Sequence, residues 1–240
     1  STSANTFVLA QAVRLWLRGK DAAIVVTNQD HEANSGVWRR LADEGVEVRE
    51  WRIDPVSGHL DPSGLKPLLA DGRVRLVAFP QCSNVVAEIN PVVEICAMAR
   101  AAGARTVVDG VSYAPHGLPD LIELGCDIYM FSSYKVYGPH QGVMAVRPEL
   151  AAALPNQGHF FNEDQPRKRL VPAGPDHAHV EVDDVDDGIT RDLGDVGREL
   201  DLPVDVPVGP RPVVEVSDPP LRSRRLETRL MTVLGAGFGL

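Results

Sequence analysis

Apolar and polar positions alternate between two periods along the first 150 residues. Residues 6–17 carry Phe7, Leu9, Ala10, Val13, Trp16 and Leu17 at helical spacing, with Thr2 and Ser3 as candidate caps and Gly19 as a stop. Residues 22–27 are a short apolar strand, 34–44 a second helix, and 46–53 alternate as a strand. Residues 61–70 form a third helix, started by Asp61-Pro62 in the favoured cap and first-turn positions. A strand over 74–79 ends at Pro80. The remaining elements are a helix over 91–102 closed by Gly103, a strand over 104–108, a short helix over 118–124, and strands over 127–131 and 142–146.

Strand and helix in regular alternation, with near-continuous Val, Ile and Ala in the strands, specify an α/β fold. The expected architecture is three-layered, α/β/α, with a mostly parallel central sheet covered on both faces. Ligands in such sheets bind beyond the carboxyl ends of the strands. The polar residues of interest obey that rule. His31 and Asn34 follow one strand, Ser83 and Asn84 another, Asp109 and Ser112 a third, and Ser132, Tyr134 and Lys135 a fourth.

The alternation stops near Val180. Residues 181–202 are crowded with Asp, 204–220 are rich in Pro and Val, and 222–229 are basic. The expected organisation is one large domain over residues 1–180 and an irregular or disordered tail over 181–240. A second reading of the tail is a coding frame that shifts near His179. No initiator Met is present and Ser1-Thr2-Ser3 runs straight into a helical pattern, so the chain is expected to begin inside a domain.

Composition narrows the function classes. A net charge of −9 argues against nucleic acid as a partner, and aromatic content of 5% against a base-stacking platform. No apolar run approaches the roughly 20 residues that span a bilayer, and no signal peptide is visible. Cys82, Cys96 and Cys126 are far apart and read as reduced thiols of a cytoplasmic protein. There is no Cys-x-x-Cys pair and the histidines fit no ligand spacing, so no metal site is expected.

The chemistry centres on Lys135. A lone lysine closing an apolar strand is an unusual place for a strongly hydrated charge, and such lysines become nucleophiles toward carbonyls. Asp109 ends an earlier strand in the same way. One amine and one carboxylate are what pyridoxal 5'-phosphate (PLP) requires: a lysine for the carbonyl and a carboxylate for the pyridinium nitrogen. A flat group to cover the ring is available in His31. Thr2 and Ser3, at a helix start, and Ser132 and Tyr134, beside Lys135, are candidates for the phosphate. Asn84 is a candidate for the phenolic oxygen or the substrate. Read singly, each residue has a plain structural alternative: Asp109, Thr2 and Ser3 as helix caps, Ser112 and Asn84 as turn residues, His31 as a loop histidine.

In order along the chain stand Thr2-Ser3, His31-Glu32-Ala33-Asn34, Ser83-Asn84 with Asn90-Pro91, Asp109-Gly110-Val111-Ser112 with Pro115-His116, and Phe131-Ser132-Ser133-Tyr134-Lys135 before Tyr137-Gly138-Pro139. This set resembles the class V aminotransferases of the fold-type I PLP enzymes, a group that includes the cysteine desulfurases. The resemblance covers about residues 1–180. It implies that Lys135 is the Schiff-base lysine, Asp109 the pyridinium partner and His31 the stacking residue, with Ser112 beside the cofactor. It also implies an amino-acid substrate and a homodimer. Tyr134 stands where desulfurases carry His, and Ser112 where they carry Gln. Residues 172–177 resemble the family's Gly-Thr phosphate loop, with Pro175 in place of the threonine. No late cysteine offers itself for persulfide chemistry and no small domain is recognisable. Transamination is therefore the favoured expectation. The alternatives are a lyase or desulfurase activity, or a truncated, non-catalytic α/β domain.

Overall fold

A computed structural model describes residues 1–165, 168–170 and 231–236. The chain divides into two compact units, Ser1–Glu181 with Leu230–Leu240, and Val182–Arg229. The second unit, like residues 172–177, lies outside the described residues.

Helix α1 (Thr2–Leu17) leads into β1 (Ala23–Thr27), α2 (Glu32–Arg39), β2 (Glu47–Trp51), α3 (Pro62–Leu69) and β3 (Val74–Pro80). Then follow α4 (Val92–Ala101), β4 (Arg105–Asp109), α5 (Leu121–Leu124), β5 (Ile128–Ser132), β6 (Gln141–Val146), α6 (Pro148–Ala153) and β7 (Met231–Ala236). The strands form one seven-stranded sheet in the order β2-β1-β3-β4-β5-β6-β7. Pairings from β2 through β5 are parallel, while β5–β6 and β6–β7 are antiparallel.

Right-handed crossovers decide which face each helix covers. The step from β1 to β2 runs one way along the sheet, and its helix α2 packs with α1 and α6 on one face. The steps from β2 to β3, β4 and β5 run the other way, which sends α3, α4 and α5 to the opposite face. Two apolar cores result. One gathers Leu9, Val13 and Leu17 of α1 with Trp38, Leu150 and the sheet residues Ile24, Val26, Leu76, Val107, Ile128 and Met130. The other gathers Leu65, Leu69, Ile95 and Cys96 with Ala23, Val25, Val77, Phe79, Val108 and Tyr129. Alternate residues of one strand thus serve opposite cores, which is why β1 is buried throughout and reads as an unbroken apolar run.

The structure moves several expected boundaries. Helix α1 begins at Thr2 rather than residue 6, so Thr2 and Ser3 lie in its first turn and Ser1 takes the cap position, without a side-chain cap bond. The second helix starts at Glu32 and finishes as a 3-10 turn over Arg40–Glu44. The helix expected over 118–124 shrinks to α5, because Asp120 caps it by accepting from the Ile122 and Glu123 amides. Within the stretch expected to be irregular, Met231–Ala236 is instead a strand paired along the whole of β6.

Candidate active site

The strand order reverses at β1 and β3, and the carboxyl ends of these strands flank the crevice where such sheets bind ligands. β1 ends at Thr27, whose hydroxyl accepts from the Gln29 and Asp30 amides at 3.2 and 3.1 Å. With both lone pairs engaged, that hydroxyl gives its proton to the Asp30 carboxylate. The other Asp30 oxygen accepts from Asn34 Nδ2 at 2.8 Å, and Asn34 Oδ1 accepts from Trp38 Nε1 at 3.2 Å. A polar chain thus runs from the fully buried Trp38 to the crevice. Burial pushes the Asp30 carboxyl well above the usual range, Thr27 and Asn34 partly offset this, and the nearby Asp109 charge pushes it further up.

His31, next in sequence, is the N-cap of α2. Its Nδ1 accepts from the Ala33 amide at 3.1 Å. That bond places the ring proton on Nε2 and fixes an exposed imidazole at the crevice. The cap role and the expected ring-covering role are compatible, since the bond uses the ring edge and leaves its faces free.

Asp109 is the last residue of β4 and is only 6% exposed. One of its oxygens accepts from the Val111 amide at 2.9 Å. The other has no donor among the described residues. Burial raises its pKa, while the Val111 bond and the nearby His31 and Lys135 pull it back. Its backbone is clamped. The Asp109 carbonyl accepts from the Gln81 amide at 2.8 Å, and Gln81 Oε1 accepts from the buried Tyr129 hydroxyl at 2.6 Å. The Tyr129 hydroxyl lies 2.0 Å from where a Cβ on Gly110 would stand, so only glycine admits this arrangement.

Beyond β5 the chain enters a 3-10 turn, Ser133–Val136, which carries Lys135. The strand is buried, as its apolar run predicts, but the lysine is not: the turn rotates it out to the exposed carboxyl edge. Lys135 enters no ion pair with Asp109, although each lies within reach of the other's charge. Tyr134 is 39% exposed and stacks on His140, with ring centroids 4.5 Å apart and 12° between planes.

The start of α1 meets this edge directly. The hydroxyls of Thr2 and Ser132 are 2.7 Å apart, and the Thr2 amide donates to the Ser132 hydroxyl at 3.3 Å. A Cβ on Gly142 would fall 2.5 Å from the Ser1 carbonyl carbon, so glycine in β6 is what lets the helix start settle there. The exposed Ser3 amide has no partner among the described residues. An open first-turn amide, two hydroxyls and the helix dipole are suited to an anion.

The fold therefore draws Thr2, Ser3 and Ser132 to one spot, and His31, Asp109 and Lys135 to another along the same edge. Asn84 is exposed and Ser112 partly so, and neither makes a hydrogen bond among the described residues. Their neighbour Ser83 is engaged in the turn itself, accepting from the Val85 and Val86 amides at 3.3 Å. Sequence reasoning missed Thr27, Asp30, Gln81 and Tyr129. The signal for the first two was a strand stopping at the polar run Thr27-Asn28-Gln29-Asp30. Gln81 carries a similar signal, opening Gln81-Cys82-Ser83-Asn84 after a strand, whereas Tyr129 sits inside an apolar strand and gave none. Among the described residues no cluster of His, Cys, Asp and Glu is placed to hold a metal ion, and no helix is long and apolar enough to cross a membrane.

The chain is similar to several known proteins. An aminotransferase-like protein of Gibberella zeae, FGM3, is 40% identical over 144 residues, which is 59% of this chain and 36% of that protein. A cysteine desulfurase of Serratia proteamaculans is 40% identical over 135 residues, 55% of this chain and 33% of that one. The chain thus spans about a third of the length of these curated relatives. Among solved structures, the cysteine desulfurase CsdA of Escherichia coli superposes with a TM-score of 0.60 at 31% identity, over 66% of this chain and 40% of that one. The apo cysteine desulfurase of Thermococcus onnurineus gives 0.58 at 27% identity, over 64% and 38%. The sequence profile described as Aminotransferase class-V matches residues 1–160, two thirds of the sequence, and the chain belongs to the class V aminotransferase family, whose members depend on PLP.

Proposed function

We propose that residues 1–180 are the PLP-binding large domain of an enzyme that transfers the amino group of an amino acid, acting as a homodimer. The observation that carries this reading is the buried, half-satisfied Asp109 carboxylate within electrostatic reach of Lys135 and His31. Its second oxygen needs a donor, and a pyridinium N–H is such a donor. The residues present fit the cofactor on their own chemistry: an amine on an accessible turn, a carboxylate for the ring nitrogen, a flat imidazole, and an anion cup at a helix start.

When bound, PLP supplies an electron sink that stabilises negative charge at the substrate α-carbon. Lys135 Nζ anchors the cofactor and then moves the proton at that carbon. Asp109 holds the proton on the pyridine nitrogen, and burial strengthens that contact by excluding water. His31 covers one ring face in the orientation set by its bond to Ala33. Thr2, Ser3 and Ser132 hold the phosphate, with Tyr134 as a further hydroxyl. Asn84 would serve the phenolic oxygen or the substrate, and Ser112 would lie beside the cofactor.

The thiols present offer no ready sulfur acceptor of their own, so amino transfer is the reading these residues support. Cys82, Cys96 and Cys126 are all buried. Burial pushes the Cys96 thiol up to about 11 and Cys126 up to about 12, and raises Cys82 as well. A protonated, buried thiol is a poor sulfur acceptor. Desulfuration is the second reading, supported by the names of the Serratia, Escherichia and Thermococcus relatives.

Mixing the chain with PLP is expected to give a visible absorbance band that borohydride fixes to Lys135, located by peptide mass spectrometry. No band, or the same band in Lys135→Ala, overturns the proposal. A panel of amino acids, followed by keto-acid and sulfide detection, then separates the two readings: sulfide from cysteine without keto acid from any other amino acid selects the second.

A further inference from the structure

The turn that carries Lys135 is part of a closed loop. The Ser133 hydroxyl donates to the Pro139 carbonyl at 2.6 Å and reaches the Gln141 carbonyl at 3.2 Å. The Ser133 carbonyl accepts from the Gly138 amide at 2.8 Å, and the Gln141 amide donates to Pro139 at 2.7 Å. Tyr137, at φ 65°, supplies the left-handed step that reverses the chain. The return limb brings His140 against Tyr134. His140 directly precedes β6, so its backbone is tied to the sheet, whereas Tyr134 rides on the exposed turn. The parallel stack at 4.5 Å is the ring contact made by Tyr134 among the described residues, and it joins a hydroxyl-bearing side chain on the exposed turn to one whose backbone adjoins the sheet.

We propose that His140 is a positioning residue, which holds the Tyr134 ring so that its hydroxyl faces the cofactor phosphate beside Lys135. This rests on the reading that Tyr134 belongs to the phosphate site. The bond from Ser133 to the Pro139 carbonyl sets the loop closure, the closure sets His140, and the stack sets Tyr134. An exposed aromatic side chain loses rotamer freedom when it binds a ligand, and the stack removes that freedom beforehand.

The test compares PLP with pyridoxal, which lacks the phosphate, by absorbance titration of the full chain. His140→Ala is expected to weaken PLP by roughly three- to tenfold, as for loss of one aromatic pair, and to leave pyridoxal unchanged. His140→Phe, which keeps a stacking ring, restores the PLP-to-pyridoxal ratio. Tyr134→Phe repeats the loss, and combining it with His140→Ala adds nothing further. An unchanged ratio in His140→Ala, an equal loss of both compounds, a His140→Phe variant that behaves as the alanine one, or additive losses in the double variant each overturn the inference. A wild-type chain that binds neither compound overturns the proposed function, and this inference with it.

Discussion

The two edges of the sheet differ in which charges stay unpaired. At the amino ends of the strands, charges are paired. Arg73 bridges Asp21 and Glu47 at 2.5 Å each, Arg49 joins Glu47 and Asp71, and Arg105 meets Asp127 at 2.9 Å. At the carboxyl ends Arg39 and Arg52 pair with Glu50 and His59 with Glu88, whereas Asp30, Asp109, His31 and Lys135 enter none of the ion pairs among the described residues. Accordingly the Arg49 and Arg73 contacts hold Asp71 and Glu47 below the usual carboxylate range, while burial holds Asp30 and Asp109 above it. The amino edge spends these charges on the fold, while four groups at the carboxyl edge stay available, which is what a chemical site requires.

The strongest way to break this contrast is at Asp127. It is 4% exposed and accepts from the Thr106 amide and hydroxyl at 2.9 and 3.2 Å, besides Arg105. Asp127→Ala orphans the buried Thr106 groups and is expected to cost about 2–4 kcal/mol in a urea melt, with the PLP-to-pyridoxal ratio of the surviving folded fraction unchanged. A smaller effect should follow at the joint between the edges and α1. Gly142→Ala drives a Cβ into the Ser1 backbone, and the helix start must withdraw. A loss of about 1–3 kcal/mol is expected, this time with PLP weakened more than pyridoxal. The smallest effect has the opposite sign. Asp109→Asn removes a charge that burial disfavours, so the cofactor-free variant should melt higher than wild type at pH 7, by an amount on the order of 1 kcal/mol. Because the folded pKa of Asp109 is raised, its contribution to stability is full below the unfolded value of about 3.9 and is lost as pH rises through the folded value. The gain should therefore vanish when the melts are repeated near pH 3. Asp71 and Glu47 act in the other direction, since their lowered pKa values give stability above that unfolded value, lost as pH falls. A gain for Asp109→Asn that persists in acid would show that its charge is not what distinguishes the edges.

Much of this was legible in the sequence because a parallel sheet announces itself. Continuous Val and Ile runs, each followed by one or two polar residues, gave the strands and, at their ends, His31, Asp109 and Lys135. What escaped depended on partners far along the chain. Thr, Ser and Asn are weak helix formers, so residues 2–5 carried no helical signal of their own; the bond between Thr2 and Ser132 secures that first turn. β7 was missed for a related reason, since its partner strand lies on the far side of an acidic and proline-rich stretch. The exposure of Lys135 was not legible, because a strand pattern says nothing about where a following 3-10 turn points its side chains. Asp30 belonged to a polar run without a period, and only its bonds to Thr27 and Asn34 give it a place.

The contact between Thr2 and Ser132, 130 residues apart, also orders events during synthesis. The first helix leaves the ribosome with its anion cup half built, and the other half arrives only when β5 and β6 emerge. Until then the apolar face of α1 has no sheet beneath its leading turn, and closing so long a loop is slow compared with forming the local βα units. The cup is thus a late-forming part of the described fold, and nascent chains stalled before β5 would expose α1 to chaperones and proteases rather than to cofactor.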